Sequence, residues 1–467
     1  MKRLLSVACL LLLAALASGA GGTLTPEPAA DAKPRLLVLT DISNEPDDEQ
    51  SLVRLLVYSN ELELEGLVAT TSVWLRDQVR PDLLVRGIEA YGRVRDNLLL
   101  HAPGFPKAAD LLARVKAGRP EFGMAGVGEG KRSAGSDWII RVVDQADDRP
   151  LWVAVWGGPN CLAQALWDVQ HERSSTEVAA FIAKLRVYAI SDQDDSGPWI
   201  RRTFPALEYI VSPTSVDADE YHTATWSGIS GDRHLRNGPG EHFELVDNPW
   251  LTANIRENHG PLGALYPKLV YLMEGDTPSF LNLVGNGLAA DENPGWGGWG
   301  GRYMLRQPHG ETRPIWTNSR DTVTTGDGRT CTSNQATVWR WREAFQHDFA
   351  ARMDWCVQPR AAANHNPVVV VNQQHGRLPL RVVAKPGDRV SLLAAGSSDP
   401  DGDALDFSWF YYPEAGFPSQ NPETVTIADG RTENATLLVP DGQWTELHII
   451  LEVRDSGQPR LSSYRRV

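Results

Sequence analysis

Cysteine is scarce, with four copies in 467 residues. That excludes a disulfide-dense scaffold, and without any Cys-x-x-Cys or Cys/His cluster there is no pattern of the kind that holds zinc. An excess of basic residues is also lacking. The 45 Lys and Arg face 59 Asp and Glu, a formal charge of −14, which argues against a nucleic-acid binder, whose phosphate contacts require a basic face. Beyond the first residues no run is long and apolar enough to span a bilayer, and no repeat or low-complexity tract appears. What is present is an ordinary globular balance, 42% apolar and 22% charged, in a length that predicts two or three domains with a large core. Trp stands out: its 16 copies outnumber 11 Tyr and 11 Phe. Most should be core or domain contacts, and some are candidates for exposed platforms.

Lys2 and Arg3, the apolar stretch Leu4–Ala17 and the small residues Ser18-Gly19-Ala20 read as a secretory signal peptide over 1–20. The mature chain is therefore expected outside the cytoplasm, secreted or periplasmic. Cleavage leaves Cys161, Cys331 and Cys356, so one pair at most can form. Cys331 and Cys356 flank an expected helix and are the candidates, unless the rigid helix holds them apart.

After a Pro- and Ala-containing linker over 21–34, buried strands are expected at Leu36–Leu39, Leu64–Thr71, Trp152–Trp156 and Leu185–Ile190, alternating with helical patterns such as Gln50–Tyr58. This alternation predicts an α/β fold, a doubly wound, mostly parallel sheet with helices on both faces, whose ligands sit beyond the carboxyl ends of the strands. From Thr225 to Asp327, Gly, Asn, Trp and Pro replace periodicity, as in a functional wall or lid. Thr332-Ser333 is placed to cap a helix carrying Val338, Trp341, Phe345, Phe349 and Met353. Residues 361–367 read as a linker. Six short alternating runs follow, Val368–Val371, Leu378–Val383, Val390–Leu393, Leu405–Phe410, Ala435–Val439 and Leu447–Val453, and predict a smaller all-β sandwich of immunoglobulin-like type over 368–467.

The strongest chemical signal is Asp41-Ile42-Ser43-Asn44-Glu45-Pro46-Asp47-Asp48, four acids in eight residues directly after a buried strand. Their repulsion is relieved by a cation or by substrate hydroxyls. Ca²⁺ suits such oxygens, Mg²⁺ less so, and the lack of nearby His and Cys argues against zinc. The plainer reading is a solvated turn whose acids favour a helix start. A second cluster, Asp192, Asp194 and Asp195 with Trp199, Arg201 and Arg202 behind it, follows another strand end. It is read as a sugar pocket in preference to a charged loop. Trp296 and Trp299 lie in a Gly-rich loop and read equally as sugar platforms or as surface plugs. His222, His259 and His309 have no metal-ligand spacing and read as structural or surface residues, while Ser398-Asp399-Pro400-Asp401-Gly402-Asp403 reads as an ordinary turn or a structural calcium loop.

The ordered motifs resemble a known superfamily. Strand, Asp-x-x-x-x-x-Asp-Asp and helix are similar to the opening Asp-x-Asp-x-x-x-Asp-Asp of the inosine-uridine nucleoside hydrolases. Glu65-Gly66-Leu67-Val68-Ala69-Thr70-Thr71 resembles their second strand, and Trp156-Gly157-Gly158-Pro159-Asn160-Cys161-Leu162-Ala163 their Gly-Pro-Leu-Thr-Asn-Leu-Ala segment. Ile190–Asp195, Trp339–Arg342 and Phe349–Trp355 resemble the nucleoside-hydrolase-like branch of cellulose-binding proteins, in which an immunoglobulin-like domain follows the first. This implies a nucleoside-hydrolase-like domain over 35–360. It also implies Asp48 and the Asn160 carbonyl on Ca²⁺, Asp47 on substrate hydroxyls and Asp41 as a supporting acid. The third motif position, an acid that activates water in the superfamily, is Ser43 here, leaving Asp41 and Glu45 as substitutes. The superfamily's His-Asp pair and the Asn ending its second-strand motif are missing. Asp321, Asn334 and Gln335 are the candidates to complete the metal shell, and Ser72-Val73-Trp74 occupies the place of the Asn.

The reading that follows is a secreted hydrolase of glycosyl bonds, acting on a carbohydrate or nucleoside-like molecule, a plant polysaccharide included, with a calcium-assisted water. Its rivals are a non-catalytic glycan binder using exposed Trp and a metal-free glycosidase using Asp194 and Asp195. No nucleic-acid partner is expected, and oligomeric state is left open.

Overall fold

In a computed structural model the protein is described over residues 32–43, 45–213, 219–231, 242–416, 421–422 and 424–467. The expected signal peptide, nearly all of the linker at 21–34 and Asn44 lie outside these residues. Among the described residues no helix is long and apolar enough to cross a membrane.

Eight strands form one sheet: β1 (Arg35–Thr40), β2 (Glu63–Ala69), β3 (Val115–Ala117), β4 (Leu151–Val155), β5 (Leu185–Ser191), β6 (Glu208–Ser212), β7 (Tyr303–Arg306) and β8 (Ile315–Asn318). Their order is β3-β2-β1-β4-β5-β6-β8-β7, and only the β7–β8 pair is antiparallel. The alternation of β1 explains why its apolar run is continuous. Leu36 and Val38 face one core with Leu52, Leu56 and Phe345, whereas Leu37 and Leu39 face the other with Ile139, Leu162 and Leu166. From β1 the chain winds outward to β2 and β3, then returns to β4 on the other side and continues to β5 and β6. A crevice therefore opens beyond the carboxyl ends of β1 and β4, where the direction of winding reverses. Asp41 follows β1 there, and Trp156 follows β4.

The helix expected after Ser333 is broken into Ala336–Trp339 and Arg342–Asp354, and Ser333 Oγ accepts from the Ala336 N–H at 3.0 Å. Cys331 lies on the hairpin of β9 (Asp321–Thr324) and β10 (Thr330–Ser333), ahead of both helical segments. Cys356 is buried beyond their far end, and all three cysteines are free. The candidate Cys331–Cys356 disulfide is not formed, as expected where a rigid helical stretch separates the two thiols.

The C-terminal part contains β11 (Arg389–Leu393), β12 (Leu405–Tyr411), β13 (Thr426–Ala428), β14 (Asn434–Leu438), β15 (Ile449–Asp455) and β16 (Ser462–Arg466). Two antiparallel sheets, β11-β14-β13 and β12-β15-β16, enclose Leu392, Leu437, Trp409 and Leu451. Of the expected strands, Val368–Val371 makes only isolated bridges and Leu378–Val383 makes none of the described strands.

The two parts are joined by buried charge. Asp321 is fully buried, paired with Arg302 at 2.7 Å and Arg340 at 2.8 Å, and accepts from the Tyr412 hydroxyl at 2.6 Å. Arg466 donates to the carbonyls of Leu288, Trp296 and Gly297. Residues 361–367 are packed, not loose: Asn364 donates to Asp455 at 3.0 Å, and His365 Nδ1 lies 2.9 Å from Asp401. Asp399 accepts from the N–H groups of Asp401 and Asp403, closing the acidic turn on itself.

Candidate functional site

The end of β1 organises the acids. Thr40 Oγ1 accepts from the Ile42 N–H at 3.0 Å and donates to Asp48 Oδ1, tying the strand end to the first turn of the helix Pro46–Val57. Pro46 pre-sets that turn, and the helix N-terminus favours the carboxylates of Asp47 and Asp48. Asp41 accepts from Ser72 Oγ, so the segment that lacks the superfamily's Asn still supports the first acid. Gly157 makes this possible, since a Cβ there would stand 2.6 Å from Asp41 Oδ1.

Asp276 completes the cluster. One carboxylate oxygen from each of Asp47, Asp48 and Asp276 lies within 4.8 Å of the other two. The turn bearing Asp276 is held from the helix Pro46–Val57, whose Gln50, Ser51 and Arg54 are buried on one face. Gln50 accepts from the Glu274 N–H at 3.0 Å, Thr277 Oγ1 lies 3.0 Å from Ser51 Oγ, and Arg54 pairs with Glu274. From the other side Trp156 Nε1 donates to Ser279 Oγ at 3.0 Å, and Ser279 Oγ donates to the Asp276 carbonyl at 2.6 Å.

These acids line a cavity of about 360 Å³ with Trp74, Trp156, Gln193, Tyr221, Trp226 and Tyr271 on its walls, within the size range of small-ligand sites. Asp276 Oδ2 is buried without a hydrogen-bond partner, and an all-carboxylate donor set suits a hard cation such as Ca²⁺. The residues present therefore fit the ion that the resemblance implies.

Burial holds Asp41, Asp47, Asp48 and Asp276 above the ordinary carboxylate range. Asp41 is pushed up to about 6, opposed by its bond from Ser72, and Asp47 to about 7, helped by Glu45 and Asp41. Asp48 and Asp276 stand well above the usual carboxylate value, through burial first and their acidic neighbours second. Without a cation, the folded state then holds more protons than the unfolded chain between roughly pH 4 and 7. Stability from this source is complete below the unfolded values and is lost as pH rises through the folded ones. For Asp41 alone, going from 3.8 to about 6 corresponds to about 3 kcal/mol. Melting of chelator-treated protein is expected to shift downward from pH 5 to pH 8, with added calcium raising Tm at pH 8 and leaving it almost unchanged at pH 5.

The remaining expected residues fall in several places. Glu45 lines the cleft, while Ser43, at φ 118°, does not. Asn160 is buried in the first turn of a helix, its amide donating to Thr71 Oγ1 and the Glu121 carbonyl, and it does not line the cleft. The expected pocket of Asp192, Asp194, Asp195 and Trp199 is not formed. Asp192 is neutralised by Arg201, which also holds Glu311. Asp194 accepts from the Ser196 N–H, and Asp195 from the Met124 N–H. Trp199 packs edge-on against Phe204. Trp296 and Trp299, 7% and 1% exposed, are plugs at the domain joint and not platforms, with Trp296 beside His448 and Trp299 beside Tyr464.

None of the residues proposed to complete the metal shell does so. Asp321 is consumed by its two arginines, Asn334 donates to the Thr223 carbonyl, and Gln335 to the His222 carbonyl and Ser227. His222, read from sequence as structural, lines the cleft, whereas His259 is buried beside Asp354. Sequence reasoning missed Asp276, Gln193 and Trp226. The signal available was the set Gln50-Ser51-x-x-Arg54 among the apolar residues that follow the helix's acidic first turn, which requires a buried polar partner.

Residues 35–303 match the family described as cellulose-binding Sde182, nucleoside hydrolase-like domain. Residues 389–467 match that described as cellulose-binding protein Sde0182, C-terminal domain. The chain is similar to a solved nucleoside hydrolase-related hypothetical protein from Saccharophagus degradans that is associated with carbohydrate metabolism, with 37% identity and TM-score 0.79 over 93% of this chain and 99% of that one. The effector protein XOO4466 aligns at 10% identity and TM-score 0.37, and the type III effector XopQ, complexed with adenosine diphosphate ribose, at 14% and 0.32. Each alignment covers 72% of this chain and 95% of the other, and both are too distant to bear on the site. No curated protein matches. The sheet with its reversal crevice and the appended sandwich thus agree with both family matches, and the chain belongs to the cellulose-binding Sde182 family with its nucleoside hydrolase-like domain.

Proposed function

We propose that this protein hydrolyses glycosyl bonds of a carbohydrate outside the cytoplasm, using a calcium ion held by Asp47, Asp48 and Asp276. The observation that carries the reading is the convergence of these three carboxylates in one ligand-sized cavity. When bound, the ion supplies positive charge that orients a sugar diol and makes a water more acidic. Asp41, held at the end of β1 by its bond from Ser72 Oγ, takes the water's proton, the work for which Ser43 is unsuited. Asp47 accepts from sugar hydroxyls, and the negative wall favours an oxocarbenium-like transition state. Release of reducing sugar or free base is expected to need calcium, to stop on chelation and to be lost in Asp48→Ala. No turnover across a broad substrate panel by calcium-loaded protein overturns the proposal.

Ser43 at the position of the water-activating acid favours a second reading, a glycan-binding protein that has kept the cleft without the chemistry. It predicts cellulose pull-down without turnover, lost in Trp74→Ala and Tyr271→Ala, whose exposed rings stand on the cleft wall.

A further inference from the structure

Among the described residues three buried polar atoms on cleft-lining side chains have no hydrogen-bond partner: Asp276 Oδ2, Gln193 Oε1 and Trp226 Nε1. The first belongs to the cation cluster, but the other two have no part in it. Gln193 is 4% exposed, and its amide nitrogen donates to the Trp156 carbonyl at 2.5 Å. That bond fixes the orientation of the amide, so the end left over is the oxygen, an acceptor. Its backbone carbonyl accepts from the Val73 N–H at 2.8 Å, which holds the residue in place. Trp226 is 3% exposed, its ring set edge-on against Tyr221 at 5.1 Å, and its indole offers a donor only. An acceptor and a donor left open in a dry wall are costly unless a ligand supplies their complements. A hydroxyl group does both, donating to one and accepting from the other.

Charge narrows the ligand further. Among the described residues the cavity is lined by five acids and, apart from His222, by no basic side chain, so this described wall offers a phosphate or a carboxylate no Lys or Arg. We infer that the cleft selects an uncharged, polyhydroxylated sugar, and that Gln193 and Trp226 are specificity residues reading its hydroxyls beside the cation cluster. This rests on the reading of the cleft as a carbohydrate site.

Titration calorimetry with calcium-loaded protein tests it, using cellobiose as the neutral probe and glucuronate and adenosine monophosphate as anionic ones. Neutral sugar is expected to bind and both anions to fail. Trp226→Phe, which keeps the ring and removes the N–H, and Gln193→Leu are each expected to weaken cellobiose by about tenfold while calcium binds as in the unaltered protein. Gln193→Leu also removes the donor to Trp156, so Trp226→Phe is the cleaner variant, and its calcium isotherm reports that the fold is intact. Equal uptake of anionic and neutral probes overturns the inference, as does unchanged cellobiose affinity in both variants. Calcium uptake without cellobiose uptake overturns it alone, whereas failure of both overturns it together with the reading on which it rests.

Discussion

Asp276→Asn is expected to weaken calcium binding by at least about a hundredfold while raising the melting temperature of the calcium-free protein. The opposite signs come from one cause. Asp276 is buried with Asp48, Asp47 and Asp41 as its acidic neighbours, so in the absence of a counter-charge each acid is held protonated at a cost in free energy. An amide of the same shape removes one member of this set and relieves the others. It also removes a negative charge from the three oxygens that face each other within 4.8 Å, and a hard divalent ion then loses the attraction that compensated its dehydration. Calorimetric titration gives the first quantity and a thermal scan in chelator the second. If calcium binds the variant as it binds the parent, Asp276 is not a ligand and the cluster is merely a buried acidic knot.

Removing the support behind Asp276 should be as severe, but for stability. Glu274→Ala leaves Arg54, which is fully buried, without its carboxylate. Arg54 keeps the Phe345 carbonyl at 3.0 Å and the Gln346 side chain as partners, which satisfy hydrogen bonds but not charge. Breaking a buried pair on one side costs about 3–5 kcal/mol, and the same change frees Tyr266 Oη and Thr277 Oγ1, which donate to Glu274 at 2.7 and 2.9 Å. Urea unfolding of the chelated protein reads this loss without contribution from the ion. The double variant Glu274→Ala with Arg54→Met should recover a large part of it, because the penalty lies in the unpaired charge. A single-variant loss below about 1 kcal/mol would place the pair with exposed ion pairs and contradict its burial.

The parallel sheet was legible because its strands are short, continuously apolar and separated by helical spacing, and the same contrast exposed the acids after β1. Asp276 was not, since it comes from the stretch between Thr225 and Asp327, where no periodicity says which acid turns inward. Asp192 and Asp194 misled for the reverse reason. They stand at a strand end, but Arg201 follows one helix later and takes Asp192, and Asp194 is used by Ser196. The Gly-rich setting of Trp296 and Trp299 left platform and plug equally open because a loop sequence does not reveal what docks on it. In β16, Ser462–Arg466, the pattern was hidden by buried arginines, of which Arg466 finds its acceptors in the carbonyls of Leu288, Trp296 and Gly297.

That last strand sets how the sandwich is carried relative to the cleft. With the Arg466 guanidinium spent on three carbonyls of the preceding domain, the sandwich has no leash on which to roam. Were a fibre to bind its outer surface, the cleft would meet that fibre at one fixed distance and bearing, and reach along it would come from diffusion of the whole particle. Grafting the sandwich onto another enzyme as a portable tag would strip those carbonyls away and leave a bare cation where a partner once stood.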